Sequence, residues 1–189
     1  MKTIKFLSMF ALAGLLFTGC SDDDENPDPI NEEEVITTMT VTLVPAGGGT
    51  NITLQTRDLD GDGPNPPEVT VSGDLAANTT YGGAIVLLNE TETPPENITE
   101  EVEEEDDEHQ FFFVVGGGLD ATIEYGNFDG DGNPLGTQFT LTTGDASSGS
   151  LAITLRHEPK KPNDGTLADA GGETDITQTF SLNILDIAP

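Results

Sequence analysis

The sequence predicts an all-β domain: an antiparallel β-sandwich of immunoglobulin-like type, with about nine strands and one short acidic helix. Three observations carry this. Apolar residues recur with a period of two along residues 35–189, turn chemistry separates most of the runs, and a helix-start pattern stands out at one place, near Ile98.

The elements follow in chain order. In 35–44, Met39, Val41 and Leu43 share one face and Thr38, Thr40 and Thr42 the other. In 51–57, Ile52 and Leu54 oppose Thr53, Gln55 and Arg57, and Val69 with Val71 makes a short third strand. Residues 81–88 are apolar on both faces, as expected of a central strand, and Phe111 to Val115 reads the same way. Leu119 to Tyr125, Phe139 to Thr142 and Leu151 to Arg156 alternate strictly, and the last strand holds Ile176, Phe180, Leu182 and Ile184. Gly47–Gly49 and Gly116–Gly118 read as loops, because neither run leads from a strand into a helix. Asn97-Ile98-Thr99-Glu100 has the form of a capping box, with Asn97 expected to accept from an early helix N–H. Eight acids between Glu100 and Glu108 follow; those at the far end oppose the helix dipole, so the helix is expected to fray near Asp107.

The chain ahead of this domain reads as an export leader. Lys2 and Lys5 precede an apolar stretch from Phe6 to Phe17, of signal-peptide length, which ends at Phe17-Thr18-Gly19-Cys20. This resembles a bacterial lipobox, and the chain's one cysteine stands where acylation requires it. The expected organisation is a lipoprotein signal peptide at 1–19, the lipidated Cys20 with an acidic flexible stalk at 20–34, and a single β-sandwich domain at 35–189. Ser21-Asp22-Asp23-Asp24-Glu25 looks like the acidic signal that carries lipoproteins of this type to the outer face of the outer membrane; the alternative is the periplasmic leaflet.

Charge narrows the partners. With 35 acidic against 6 basic residues the formal charge is −29, a surface that repels phosphate and excludes nucleic acid. One cysteine leaves no disulfide framework and no cysteine-based zinc site. Nothing resembling a nucleophile beside a base is present, so no catalytic residue is assigned and an enzyme is not expected.

Two kinds of motif are able to hold a metal. Asp58, Asp60 and Asp62, followed by Gly63, match the first half of a Ca²⁺ loop, and Asn127, Asp129 and Asp131, followed by Gly132, form a weaker copy. The twelfth positions are Val69 and Gln138 rather than a bidentate Glu, and Asp-Gly is equally good hairpin chemistry. The histidines form the other candidate. His109 shares a strand face with Phe111, Phe113 and Val115; His157 shares one with Leu151, Ile153 and Leu155. Both stand at strand ends and point to the core side. If those ends are adjacent, the imidazoles with Glu108 or Glu158 would ligate Zn²⁺, Cu²⁺ or Ni²⁺.

Several stretches carry a resemblance: Glu32-Glu33-Glu34-Val35-Ile36-Thr37-Thr38, Leu59-Asp60-Gly61-Asp62-Gly63-Pro64, Ala76-Ala77-Asn78-Thr79-Thr80-Tyr81, Ile98-Thr99-Glu100-Glu101-Val102, Asp107-Glu108-His109-Gln110, Leu155-Arg156-His157-Glu158-Pro159 and Ala170-Gly171-Gly172-Glu173-Thr174-Asp175. Together they resemble a family of small flavobacterial (Bacteroidota) lipoproteins commonly labelled "type 1 periplasmic binding fold superfamily protein". The resemblance covers nearly the whole chain and implies no ligand or catalytic residue. Its label implies two α/β lobes, whereas the residues here imply a sandwich with one short helix. The expected function is a non-enzymatic, surface-anchored binding or accessory module, serving an outer-membrane uptake receptor or an extracellular ligand. The alternative is a lipoprotein that captures divalent metal through His109, His157 and adjacent acids, or that carries structural Ca²⁺ at the Asp-Gly turns.

Overall fold

A computed structural model of the chain describes residues 34–61 and 63–187. The expected signal peptide, Cys20, the stalk up to Glu33, and Asp62 lie outside the described residues. The described domain is all-β, with two sheets, antiparallel except where the two-residue strand Leu75–Ala76 pairs in parallel, and two short helices.

The larger sheet has the order β3-β2-β1-β5-β9-β8. Its strands are β1 (Thr38–Pro45), β2 (Ile52–Arg57), β3 (Glu68–Val71), β5 (Thr80–Asn89), β8 (Ala121–Tyr125) and β9 (Gln138–Thr143), with the short β6 (Glu96–Asn97) paired to β5. The smaller sheet has the order β4-β11-β10-β7, from β4 (Leu75–Ala76), β7 (His109–Gly116), β10 (Ser147–His157) and β11 (Glu173–Leu185). Helix α1 (Ile98–Glu104) packs on β5, and a single turn, α2 (Leu167–Ala170), precedes β11. The core lies between the sheets. Met39, Val41, Leu43, Leu54, Ile85, Leu87 and Leu141 face Phe111, Leu151, Ile153, Leu155, Phe180, Leu182 and Ile184 in one cluster. These are the inward positions the alternation selects.

Some details depart from expectation. Strand β5 is central, between β1 and β9, but it is not two-sided: Tyr81, Gly83, Ile85 and Leu87 are buried while Val86 on the other face is 43% exposed. The outer face of this sheet meets solvent, and small residues suffice there. Likewise β7 is buried on both faces only over its first four residues, where Gln110 and Phe112 lie on the second face, and Val114 is 52% exposed. Asn97 caps α1 by position but its side chain makes no bond to a helix N–H; its amide donates to the Glu100 carboxylate at 2.9 Å. The reason is that Asn97 is still paired as a strand residue with Leu88. The helix ends at Glu104, earlier than Asp107, and Ile98 and Val102 are its buried stripe. Strands β4 and β6 and helix α2 are too short to show periodicity and went unpredicted. Among the described residues no helix is long and apolar enough to cross a membrane.

The chain ahead of β1 is tied down before it enters the sheet. Thr37 N donates to Leu88 O at 3.0 Å, and its hydroxyl accepts from Glu90 N at 2.8 Å. Arg57 grips Glu90 through two hydrogen bonds, 2.9 and 2.8 Å long. This fixes residues 34–37 against the end of the sandwich where β7 begins and β10 ends.

Core packing gives a direct test. A Cβ added at Gly83 would lie 2.4 Å from the ring of Phe139, which is itself 3% exposed and has nowhere to go. Gly83→Ala is expected to destabilise the domain by about 1–3 kcal/mol. Gly82→Ala, one residue away on the open face with nothing within 4 Å, is expected to stay within about 0.5 kcal/mol. Urea denaturation of the two variants reads the contrast.

Candidate metal centre

Strands β7 and β10 pair in unbroken register from Ser150 opposite Gly116 to His157 opposite His109. Residues opposite one another on an antiparallel ladder share a face, so the chain's two histidines meet at the end of the smaller sheet. Their ring centroids are 4.5 Å apart, and their side chains are 0% and 4% exposed. The adjacency on which the predicted site depended is therefore present.

Two carboxylates that the sequence reading did not select complete the cluster. Glu34 lies just before the tied-down segment, with its side chain 3% exposed. One of its oxygens is 2.9 Å from His109 Nε2, and the other is 3.3 Å from His157 Nδ1. Asp175 lies at the start of β11, and its Oδ1 is 3.9 Å from His157 Nδ1. One ligand atom from each of Glu34, His109, His157 and Asp175 lies within 4.8 Å of all the others. The expected partners sit at the rim instead. Glu108 Oε2 is 3.8 Å from His157 Nε2, and Glu108, His157 and Glu158 form a second, more exposed group.

Local structure explains why the two carboxylates were missed. Glu34 closes a run of three glutamates, and its sequence gives it the look of stalk; it is the last residue of the expected stalk, yet it is held inside the fold. Asp175 is hidden by parity. Ile176 is opposite Leu155 and Thr174 is opposite Arg156, so the ladder slips by one residue and leaves Asp175 as the extra member of a β-bulge. Strict alternation would turn Asp175 away from the side that Ile176 faces; the bulge brings both to the same side. A shift of register at the mouth of β10–β11 is the signal, and only the paired strands reveal it.

The hydrogen bonds define the charge state. His109 Nδ1 lies 3.1 Å from the Glu105 carbonyl, which only accepts, so Nδ1 carries a proton. Nε2 faces the Glu34 carboxylate, which also accepts, so without a metal His109 is an imidazolium. Burial would lower its basicity, but the bonds to Glu34 and Glu105 and the charges of Glu34 and Asp175 raise its pKa above the ordinary 6.5. Burial would raise the Glu34 carboxyl; the hydrogen bond from His109 and the attraction of its charge outweigh that and hold Glu34 at about 2. Around the cluster the field is negative. Burial, together with repulsion from Glu34, Glu105 and Glu96, pushes up the Glu101 carboxyl.

This donor set suits a divalent ion of intermediate softness. Two imidazoles and two carboxylates offer N₂O₂ ligation, and tetrahedral Zn²⁺ at bonds of about 2.0–2.1 Å needs its ligand atoms about 3.3 Å apart. The nearest pairs are 2.9, 3.3 and 3.9 Å apart, the first two through different Glu34 oxygens, and with one atom from each residue the set lies within 4.8 Å, so the four ligands must draw in to close on an ion. The Nδ1–H bond to the Glu105 carbonyl leaves His109 Nε2 as the inward ligand atom, an outer-shell contact of the sort that orients metal-binding histidines. Two carboxylates with two neutral imidazoles carry a charge that one divalent cation cancels.

The Asp-Gly turns are built differently. Asp58 accepts from Asp60 N at 3.2 Å, and Asp60 accepts from Asn65 Nδ2 at 2.6 Å, while Asp62 lies outside the described residues. In the second turn Asn127 accepts from Gly136 N and Gln138 N, bracing the loop from inside. Asp129 is buried and accepts from Asp131 N and Asn133 N, and its other oxygen is 3.3 Å from Lys161 Nζ. Lys161 also donates to the Asp106 carbonyl. A lysine ammonium thus occupies the cation side of Asp129. Among the described residues, neither turn gathers three ligating side chains.

The pair of shifts sets a pH window for the metal-free protein. Glu34, lowered from 4.5, contributes stability above about pH 4.5 and loses it as pH falls toward 2. His109, raised from 6.5, contributes fully below that pH and loses it as pH rises through the folded-state value. The stability difference between wild type and Glu34→Gln, by denaturant titration in chelator, is expected to be largest between pH 4.5 and 6.5, about 3 kcal/mol, and to shrink on both sides.

Compared with protein-family models, curated proteins and solved structures, the chain matches none of them, so the chemistry of the cluster rests on its own geometry.

Proposed function

We propose that this protein is a lipid-anchored, non-enzymatic metal-binding module of the cell envelope. It holds one divalent transition-metal ion at Glu34, His109, His157 and Asp175. The observation that carries the reading is that two histidines, both buried and directly opposed across a strand pair, converge with two carboxylates whose side chains are 3% and 2% exposed. A purely structural end to the sandwich would be better served by apolar side chains, since burying this many ionisable groups has a large desolvation cost. The leader and Cys20 support anchoring through acyl chains at the outer membrane, on the cell surface or, alternatively, the periplasmic leaflet. The overall charge of −29 draws cations toward the domain and gives it a complementary face for a basic partner such as an uptake receptor.

A second reading keeps the accessory-module expectation and rests on a cavity. A space of about 480 Å³ opens beside the cluster, lined by Val35, Ile36, Leu59, Pro67 and Ile176, with Asp175 at its edge. Its size and mostly apolar wall suit a small ligand or a partner's side chain. Leu59→Trp, at its mouth, is expected to abolish ligand-induced stabilisation in a small-molecule screen and to leave any metal response unchanged.

Melting temperature under Zn²⁺, Cu²⁺, Ni²⁺ and Ca²⁺ tests the first reading. At a hundredfold excess over Kd a transition metal is expected to add about 2.7 kcal/mol, or roughly 5–10 °C for a domain of this size. His109→Ala, His157→Ala and Asp175→Asn should each remove most of that shift. A shift from Ca²⁺ alone, insensitive to the histidines, would move the cation to the Asp-Gly turns; a flat response to all four metals would refute the proposal.

A further inference from the structure

The His157 ring has two nitrogens, and the inner cluster uses one of them. Nδ1 faces Glu34 and Asp175 at 3.3 and 3.9 Å. Nε2, on the other side of the ring, is buried and has no hydrogen-bond partner, although the residue is 3% exposed. An unpaired ring nitrogen in a protein interior is rare, because nothing offsets its lost hydration. What stands in front of it is a carboxylate too far away to bond directly: Glu108 Oε2, at 3.8 Å. Glu158 joins them, and one ligand atom from each of Glu108, His157 and Glu158 lies within 4.8 Å of the other two.

We propose that His157 bridges two metal positions: the inner one at Glu34, His109, His157 Nδ1 and Asp175, and an outer one at His157 Nε2, Glu108 and Glu158. The proposal rests on the reading of the inner cluster as a metal centre and adds a second ion to it. A 3.8 Å gap between a buried nitrogen and a carboxylate oxygen is too long for a hydrogen bond, and a contraction of about half an ångström would bring the two atoms to the spacing of ligands on one metal. The backbone holds the outer ligands side by side, since Glu158 N donates to Glu108 O at 2.7 Å. The two positions differ in access. The inner ligands' side chains are at most 4% exposed, whereas Glu108 and Glu158 are exposed, so water completes the outer coordination and ions enter and leave from that side. Ligation through both nitrogens releases the remaining ring proton of His157 to solvent and leaves an imidazolate between the ions.

Cu²⁺ is the probe, because an imidazolate bridge couples the spins of two Cu²⁺ ions and suppresses their paramagnetic resonance signal. The full chain in detergent is titrated with Cu²⁺ presented as its glycine complex, which keeps isolated surface carboxylates from competing. Two ions per chain are expected, with the signal rising over the first equivalent and falling over the second. Glu108→Gln combined with Glu158→Gln changes exposed side chains and carries little folding risk. It should bind one ion with a full signal. Two ions with full signal would mean separate, unbridged sites and overturn the proposal. One ion in both wild type and the double variant would also overturn it while leaving the inner centre standing. Binding of no ion would remove the inner centre and the bridge together.

Discussion

The pairing of His109 with His157 across the last rung of the β7–β10 ladder is the constraint around which this end of the protein is organised. Two imidazoles in contact, tilted 49° to one another in the interior, cannot be left to themselves. Each brings hydrogen-bonding nitrogens that water no longer serves, and one bears a charge. The chain answers from three separate directions: Glu34 from ahead of β1, the Glu105 carbonyl from the turn after α1, and Asp175 from the start of β11. Glu34 touches both rings at once, so its carboxylate is the keystone of the group.

Each of these contributors is delivered by a feature that regular sandwich geometry would lack. Thr37, Arg57 and Glu90 pin the segment that follows Glu34. The bulge between β10 and β11 turns Asp175. Close to it, Gly172 passes so near the His157 carbonyl that a Cβ there would fall 2.3 Å from the oxygen, and Glu158 adopts a φ of 47°. A non-glycine residue in that region is uncommon, and it falls at the rim of the cluster, where such conformations tend to collect in functional sites.

The fold was largely legible in the sequence because alternation is a local property. Met39, Val41, Leu43, Leu151, Ile153 and Leu155 declare their faces without knowledge of what they pack against, and all are fully buried. The same parity placed both histidines on the inward side. It failed where position depends on pairing. Strand β5 looked two-sided because alanine and valine on an open sheet face are indistinguishable from core residues. Asp175 was invisible because a bulge is a relation between two strands. Glu34 was lost among neighbouring glutamates that share its composition but not its environment. The Asp-Gly turns, conversely, carried a metal-like spacing whose carboxylates are engaged by backbone amides, Asn65, Asn133 and Lys161.

Glu34 stands at the N-terminal edge of the described residues, four positions ahead of β1. Its carboxylate grips both imidazoles, so the short segment that ends at β1 and the histidine pair hold one another in place. Because Glu34 lies outside every strand, displacing it would open the cluster with all strand pairings intact, so the ordering of this segment and the retention of whatever the cluster holds are a single event.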